Sequence, residues 1–230
     1  MVRALAAMPG YNPPPMTAMA PPPVRWLPAA LGALLLMMTI GLGLVWWWGR
    51  QPPPALPVLG ALPAFSLTDK SGATVTTATL AGRPWIVDLV FTRCQLSCPR
   101  MTERMASLGP RLAPGVRRVS VTVDPAHDTP AVLVDYAKLH KAEAPDWLFL
   151  TGSEADVRRF AVDGLKLGVA VADPTDPRAA QEPVTHSTRF VLLDGQGRVR
   201  GYYDAFDEGA LGRLLRDSAW LATGGESSGG

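Results

Sequence analysis

The chain predicts an α/β domain with a mixed central sheet and flanking helices, preceded by one transmembrane helix. Three observations lead there. Residues 26–48 carry no charged side chain. Beyond residue 62, short apolar runs alternate with amphipathic stretches in the order βαβαβα and then ββα, which builds a partly parallel sheet with helices on its faces. Cys94 and Cys98, the only two cysteines of the chain, stand together where an apolar run passes into a helix.

A length of 230 residues allows one medium domain with appendages. The formal net charge is only +2, and Lys and Arg are scattered without a basic stripe. That excludes nucleic acid as a partner. Hydrophobic content of 47% is ample for a core, although part of it belongs to the apolar segment.

Residues 1–25 form a Pro- and Met-rich leader in which Pro13–Pro15 and Pro21–Pro23 preclude regular helix. Its methionines, Met1, Met8, Met16 and Met19, offer soft thioethers; a disordered tail is the plainer reading. Residues 26–48 are long enough for a helix to span a bilayer. Arg25 and Arg50 flank the segment and tryptophans sit at both ends, as interfacial indoles do. A cleaved signal peptide would have a shorter apolar core and a small-residue cleavage site, so an uncleaved anchor is expected. Arg3, Arg25 and the N-terminus on one side face only Arg50 on the other. Positive-inside counting therefore puts the N-terminus in the cytoplasm and the domain on the periplasmic side of a bacterial inner membrane. Residues 49–61 read as a Pro-rich linker, 62–222 as the domain and 223–230 as a flexible tail.

Within the domain, Ala64–Leu67 and Ala73–Thr76 flank the turn Asp69-Lys-Ser-Gly72, a hairpin signature. Trp85–Phe91 is almost wholly apolar, as a strand buried on both faces should be. A helix is predicted over Pro99–Leu112, with Pro99 in its first position and Cys98 as its N-cap. Val116–Val123 reads as a second central strand. Asp128-Thr129-Pro130 opens a helix to about Lys141, with Asp128 as the capping acceptor. Trp147–Leu150 is a third strand, and Ser153 caps a helix reaching Leu165. Residues 172–185 form a polar excursion. Arg189–Leu193 and Val199–Tyr203 bracket Asp194–Gly197 as a second hairpin, and an amphipathic helix covers Glu208–Leu221. This is the layout of a thioredoxin-like domain.

At a helix N-terminus, unpaired amides and the helix dipole favour thiolate over thiol. Metal ligation and disulfide exchange both use that, so the two remain open at this point. The Cys-x3-Cys spacing lets both sulfurs point at a common centre, and two thiolates alone make a poor closed site for a soft ion. Three histidines can supply another ligand. His140 is read as a solvent-exposed residue at a helix end. His127 lies in the loop Asp124-Pro-Ala-His-Asp128 and reads as a bystander. His186 precedes the strand from Arg189, the place that faces the redox motif in a thioredoxin-like domain.

Taken together, Phe91-Thr-x-Cys94-x3-Cys98-Pro99, Val123-Asp124-Pro125-x2-Asp128-Thr129-Pro130, and Thr185-His186-Ser187 followed by Phe190–Asp194 and Gly197 resemble the Sco/SenC family. The resemblance covers nearly the whole domain. It implies a membrane-anchored, thioredoxin-like copper protein that serves assembly of the CuA centre of cytochrome c oxidase. Cys94, Cys98 and His186 would hold the copper, as Cu(I) and also Cu(II). The implied partners are the CuA-bearing subunit and an upstream copper donor. Two departures stand out. The loop Gln95-Leu96-Ser97 lacks the acidic or proline residues of many relatives, and Arg93 replaces a common histidine, where it is expected to stabilise thiolates. Asp124 is expected either to serve a turn or to orient His186 or a partner.

Two functions follow from different classes: a metallochaperone, and a tethered thiol–disulfide oxidoreductase using Cys94 and Cys98 catalytically. A peroxiredoxin-like peroxidase fits a close cysteine pair less well. A Walker-type loop, a GxSxG elbow and an HExxH helix are absent from the sequence, which excludes the phosphate-transfer, serine-hydrolase and zinc-protease chemistry those motifs carry.

Overall fold

A computed structural model describes residues 27–49, 55–171 and 184–224. The leader expected over 1–25, most of the polar excursion, residues 50–54 of the linker, and the tail from 225 lie outside the described residues.

The apolar segment forms one helix, α1 (Leu27–Gly49). Its 23 residues span roughly 35 Å at 1.5 Å per residue, enough for a hydrocarbon core of about 30 Å. Among the described residues it is the one helix long and apolar enough to cross a membrane.

The described residues from Ala55 onward form a second compact unit. Its strands are β1 (Gly60–Ala61), β2 (Ser66–Asp69), β3 (Thr74–Thr76), β4 (Trp85–Val90), β5 (Arg117–Thr122), β6 (Trp147–Thr151), β7 (Val169–Val171), β8 (Val184–His186), β9 (Arg189–Leu193) and β10 (Arg198–Asp204). The helices are α2 (Thr77–Leu80), α3 (Ser97–Leu108), α4 (Pro130–Leu139), α5 (Glu154–Arg158) and α6 (Glu208–Ala222). Eight strands make one mixed sheet in the order β1-β10-β9-β4-β5-β6-β2-β3. At its centre β4, β5 and β6 run parallel, while β9 and β2 flank them antiparallel. The fold is the predicted mixed α/β, thioredoxin-like sheet, and both predicted hairpins form, β2–β3 and β9–β10.

All six residues of β4 are buried. Successive side chains of a strand point to opposite faces. Val87 and Leu89 thus join a core with Val119, Val121, Val191 and Phe160, while Ile86 joins Met101, Met105, Leu133, Phe149 and Phe190 on the other face. Inside the sheet Trp147 Nε1 donates to Ser120 Oγ at 3.0 Å.

Several local expectations change. The helix carrying the second cysteine begins at Ser97, so Cys98 is its second residue and Pro99 its third, while Leu96 is the N-cap without a side-chain cap bond. A proline is still tolerated there, because the first four amides of a helix have no intrahelical acceptor. The cap of α4 is Thr129, whose side chain accepts from Val132 N–H; Asp128 is committed elsewhere. The segment after α5 continues as a π-helical turn, Arg159–Gly164. Val184 and Thr185, expected in the excursion, pair with β7 in a two-stranded ribbon. Residues 56–61, expected in the linker, are bound to the sheet. Gly60 and Ala61 pair with β10, and the buried Arg200 guanidinium donates to the carbonyls of Leu56 and Pro57.

Candidate metal centre

The parallel strands β4 and β5 end side by side, with Val90 opposite Thr122. Loops leaving the C-terminal ends of parallel strands are where α/β sheets place their sites. Here the first loop carries Thr92, Arg93 and Cys94, and the second carries Asp124, His127 and Asp128.

Cys94 N–H donates to the Phe91 carbonyl at 3.2 Å, folding the loop back on the strand end. The Cys98 backbone N–H, in the first turn of α3, donates to Cys94 Sγ at 3.3 Å. Ser97 Oγ lies 3.5 Å from the same sulfur. Both cysteines are in the dithiol form. They pack with Val90 and Phe91, against the half-buried Val123, Cys94 at 4% exposure and Cys98 at zero.

This burial corrects the expectation of a depressed thiol at Cys98. A hydrogen bond with the Cys94 thiol and the loss of solvation push its pKa well up, and nearby negative charge, including that of Asp88, adds to the rise. The helix-terminus effect is offset by that hydrogen bond and by burial of both sulfurs in one apolar cluster. Two soft donors that share a proton suit a soft cation, which would take the proton's place.

The Arg93 guanidinium is held by Asp124, with Nε and Nη2 at 3.0 and 2.5 Å from Oδ2. Asp124 is thereby placed as the partner of the cysteine loop. Asp128, read from sequence as a cap, is fully buried and accepts from Thr92 N–H at 3.1 Å, Thr92 Oγ1 at 2.5 Å and Thr122 Oγ1 at 2.5 Å. His127 Nδ1 lies 3.0 Å from its Oδ1. Asp124, His127 and Asp128 offer ligand atoms within 4.8 Å of one another. The carboxylates already serve the Arg93 and threonine donors, which makes this cluster a clasp and not a metal cradle.

His140, expected to be exposed, is half-buried against Tyr136, ring centroids 4.4 Å apart. Burial lowers its pKa, partly countered by Glu103. His186 closes β8, its backbone opposite Val169. The side chain of His186 lies outside the described residues. The register Val87–Val191 between β4 and β9 puts the start of β9 at the end of the sheet where β4 delivers the cysteines. The backbone of His186, two residues before Thr188 and β9, therefore enters from the cysteine end.

Sequence reasoning missed Thr92 and Thr122. Their only signal is two hydroxyl residues at the ends of adjacent predicted strands.

Comparison with known proteins agrees with this architecture. The family model described as SCO1/SenC matches residues 60–216. The crystal structure of a SCO1/SenC family lipoprotein from Bacillus anthracis is 32% identical, with a TM-score of 0.63 over 73% of this chain and 99% of that one. BsSco, described as a member of the Sco family of cytochrome c oxidase assembly proteins and studied for a disulfide switch, is 29% identical, with a TM-score of 0.59 over 74% and 98%. ScoI of Bradyrhizobium japonicum, solved with copper bound, is 25% identical, with a TM-score of 0.54 over 68% and 98%. With a family match running from the first strand of the sheet into the last helix, the chain belongs to the SCO1/SenC family.

Proposed function

We propose that this protein is a copper-binding assembly factor of cytochrome c oxidase. Cys94, Cys98 and His186 hold the metal as Cu(I) and also Cu(II), and the acceptor is the CuA-bearing subunit. The helix α1 stays in the inner membrane as an anchor, with the domain on the periplasmic side. The observation that carries this reading is the buried dithiol at the shared ends of β4 and β5, with the backbone of His186 entering from the same end of the sheet. The copper-bound relative supports copper as the cargo.

Binding releases the thiol protons, because thiolate and neutral imidazole are the ligating forms. Ligand exchange then lets an incoming acceptor thiolate bind before Cys94 or Cys98 departs, so copper is never free. Tethering confines donor and acceptor to one membrane and raises their effective concentration.

A second reading is favoured by the contact of Cys98 N–H with Cys94 Sγ and by the disulfide switch described for BsSco. The dithiol would reduce a disulfide in the acceptor. One thiolate attacks an acceptor sulfur to give a mixed disulfide, the other attacks in turn, and two electrons and two protons pass to the acceptor.

His186→Ala separates the two. A copper carrier loses metal retention while the dithiol stays oxidisable; a pure reductase is unaffected. Copper titration of the reduced protein, read by absorption and EPR, is expected to show lost retention. Wild-type stoichiometry in the variant overturns the ligand assignment.

A further inference from the structure

We propose that Asp128 is a positioning residue for the cysteine pair: through Thr92 it fixes the loop that carries Cys94, and so sets both copper affinity and the dithiol–disulfide balance. This rests on Cys94 and Cys98 being the reacting pair.

Asp128 has no exposed surface, and its burial is not explained by helix capping, which Thr129 performs. Both of its oxygens reach Thr92 in the cysteine loop, and one of them also reaches the end of β5. Oδ1 takes the Thr92 hydroxyl and Oδ2 takes the Thr92 amide, two residues before Cys94. Oδ2 also takes the Thr122 hydroxyl at the end of β5. Thr122 Oγ1 in turn accepts from Asp124 N–H at 3.0 Å. A buried carboxylate is tolerated only when donors saturate it, and removing one donor leaves an uncompensated charge. The end of β5, the aspartate loop and the start of the cysteine loop are thus locked as one piece. The Arg93–Asp124 pair joins the same loops, but Arg93 is 52% exposed, and exposed pairs contribute little. Asp128 is the rigid link.

A disulfide requires the sulfurs to close to about 2.05 Å, so Cys94 Sγ must leave the place that the locked loop gives it, where it accepts from the Cys98 amide. The lock favours the dithiol, which is also the form that takes a soft metal. A ligand set held within about 0.5 Å binds better than one left to find its place.

The test uses the full chain in detergent, with Thr92→Val, Asp128→Asn and the conservative Thr92→Ser. Three quantities are read: the metal-free thiol–disulfide equilibrium against glutathione, Cu(I) affinity by competition with a chromophoric chelator, and the thermal midpoint of each redox form. Thr92→Val and Asp128→Asn are each expected to shift the equilibrium at least tenfold toward disulfide, about 30 mV for a two-electron couple. Each should weaken Cu(I) at least tenfold, with the double variant little worse than either and Thr92→Ser near wild type. A purely structural role would lower the thermal midpoints of both forms equally and leave equilibrium and affinity unchanged; that result overturns the proposal. If Asp128→Asn does not fold, Thr92→Val decides alone. Cys94→Ser and Cys98→Ser proteins that still retain copper would overturn the ligand reading instead, and the metal-free equilibrium would continue to test the lock.

Discussion

The Cys98 amide rests 3.3 Å from Cys94 Sγ, and the Cys98 side chain has no exposed surface. The pair is therefore asymmetric: Cys94 keeps 4% of its surface exposed and Cys98 none. Only the thiolate reacts with an alkylating agent, and the shared hydrogen bond and burial keep Cys98 protonated well above its ordinary range. Iodoacetamide near neutral pH is expected to label Cys94 at least tenfold faster than Cys98, read by peptide mass spectrometry. Equal rates would contradict the asymmetry.

The same raised thiol carries a pH dependence. A group with a folded pKa above its unfolded value stabilises the fold below the unfolded value and loses that contribution as pH rises. The reference value for the Cys98 thiol is 9.0. The reduced domain is expected to lose thermal stability as pH climbs above about 9, and the oxidised domain, which has no thiol to titrate, should lose less. Parallel pH profiles for the two forms would refute this.

Beneath the cysteines, the hydroxyls of Thr102 on α3 and Tyr136 on α4 meet at 2.9 Å, both buried. Tyr136→Phe strands the Thr102 hydroxyl and should cost about 1–3 kcal/mol in urea unfolding. Adding Thr102→Val removes both polar partners and should recover part of the loss. A double variant that loses the full sum of the two single effects would show that the hydroxyls do not act as a pair.

The sheet was legible because β4, β5 and β9 are apolar runs of strand length, and because hairpin turns announce themselves at Asp69–Gly72 and Asp194–Gly197. The cysteine pair was legible for its scarcity and its helix start. What sequence hid were relations across distance. Asp128 sits before a threonine and a proline and reads locally as a cap, while its partner Thr92 lies 36 residues away. Helix position alone forecast an acidic thiol at Cys98, and a second sulfur in the same apolar pocket reverses it. Arg200 alternates as an ordinary strand residue, and nothing local says that a segment 143 residues earlier supplies its acceptor.

Arg200 is almost wholly buried and joins Asp194 Oδ2 at 3.0 Å to the carbonyls of Leu56 and Pro57. Arg200→Ala removes the buried cation and leaves those acceptors short of a donor, at a cost of roughly 3 kcal/mol. Burial alone would raise the Asp194 carboxyl, but hydrogen bonds from Arg198, Arg200 and Gln196 hold it below its usual value of 3.8. A depressed acid stabilises the fold above the unfolded value and loses that contribution as pH falls through the folded one. Wild type should lose stability below about pH 4, and Asp194→Asn should show a shallower acid limb in thermal scans. Identical acid limbs would remove Asp194 from the account.

Membrane retention yields to arithmetic on α1. Its leucines, isoleucine and valine together supply roughly −3 to −5 kcal/mol on an insertion scale, and each central arginine costs about +3. One substitution, Leu35→Arg, brings the balance close to zero; Leu35→Arg with Met38→Arg reverses it. The double variant is expected to be extracted by carbonate, and the single variant to be retained more than the double. On the anchor reading proposed above α1 is not cleaved, and the membrane-bound protein should still yield α1 peptides in mass spectrometry. A shortened product released to the soluble fraction would show that the helix is a signal sequence, and the effective-concentration argument for copper transfer would fall with it.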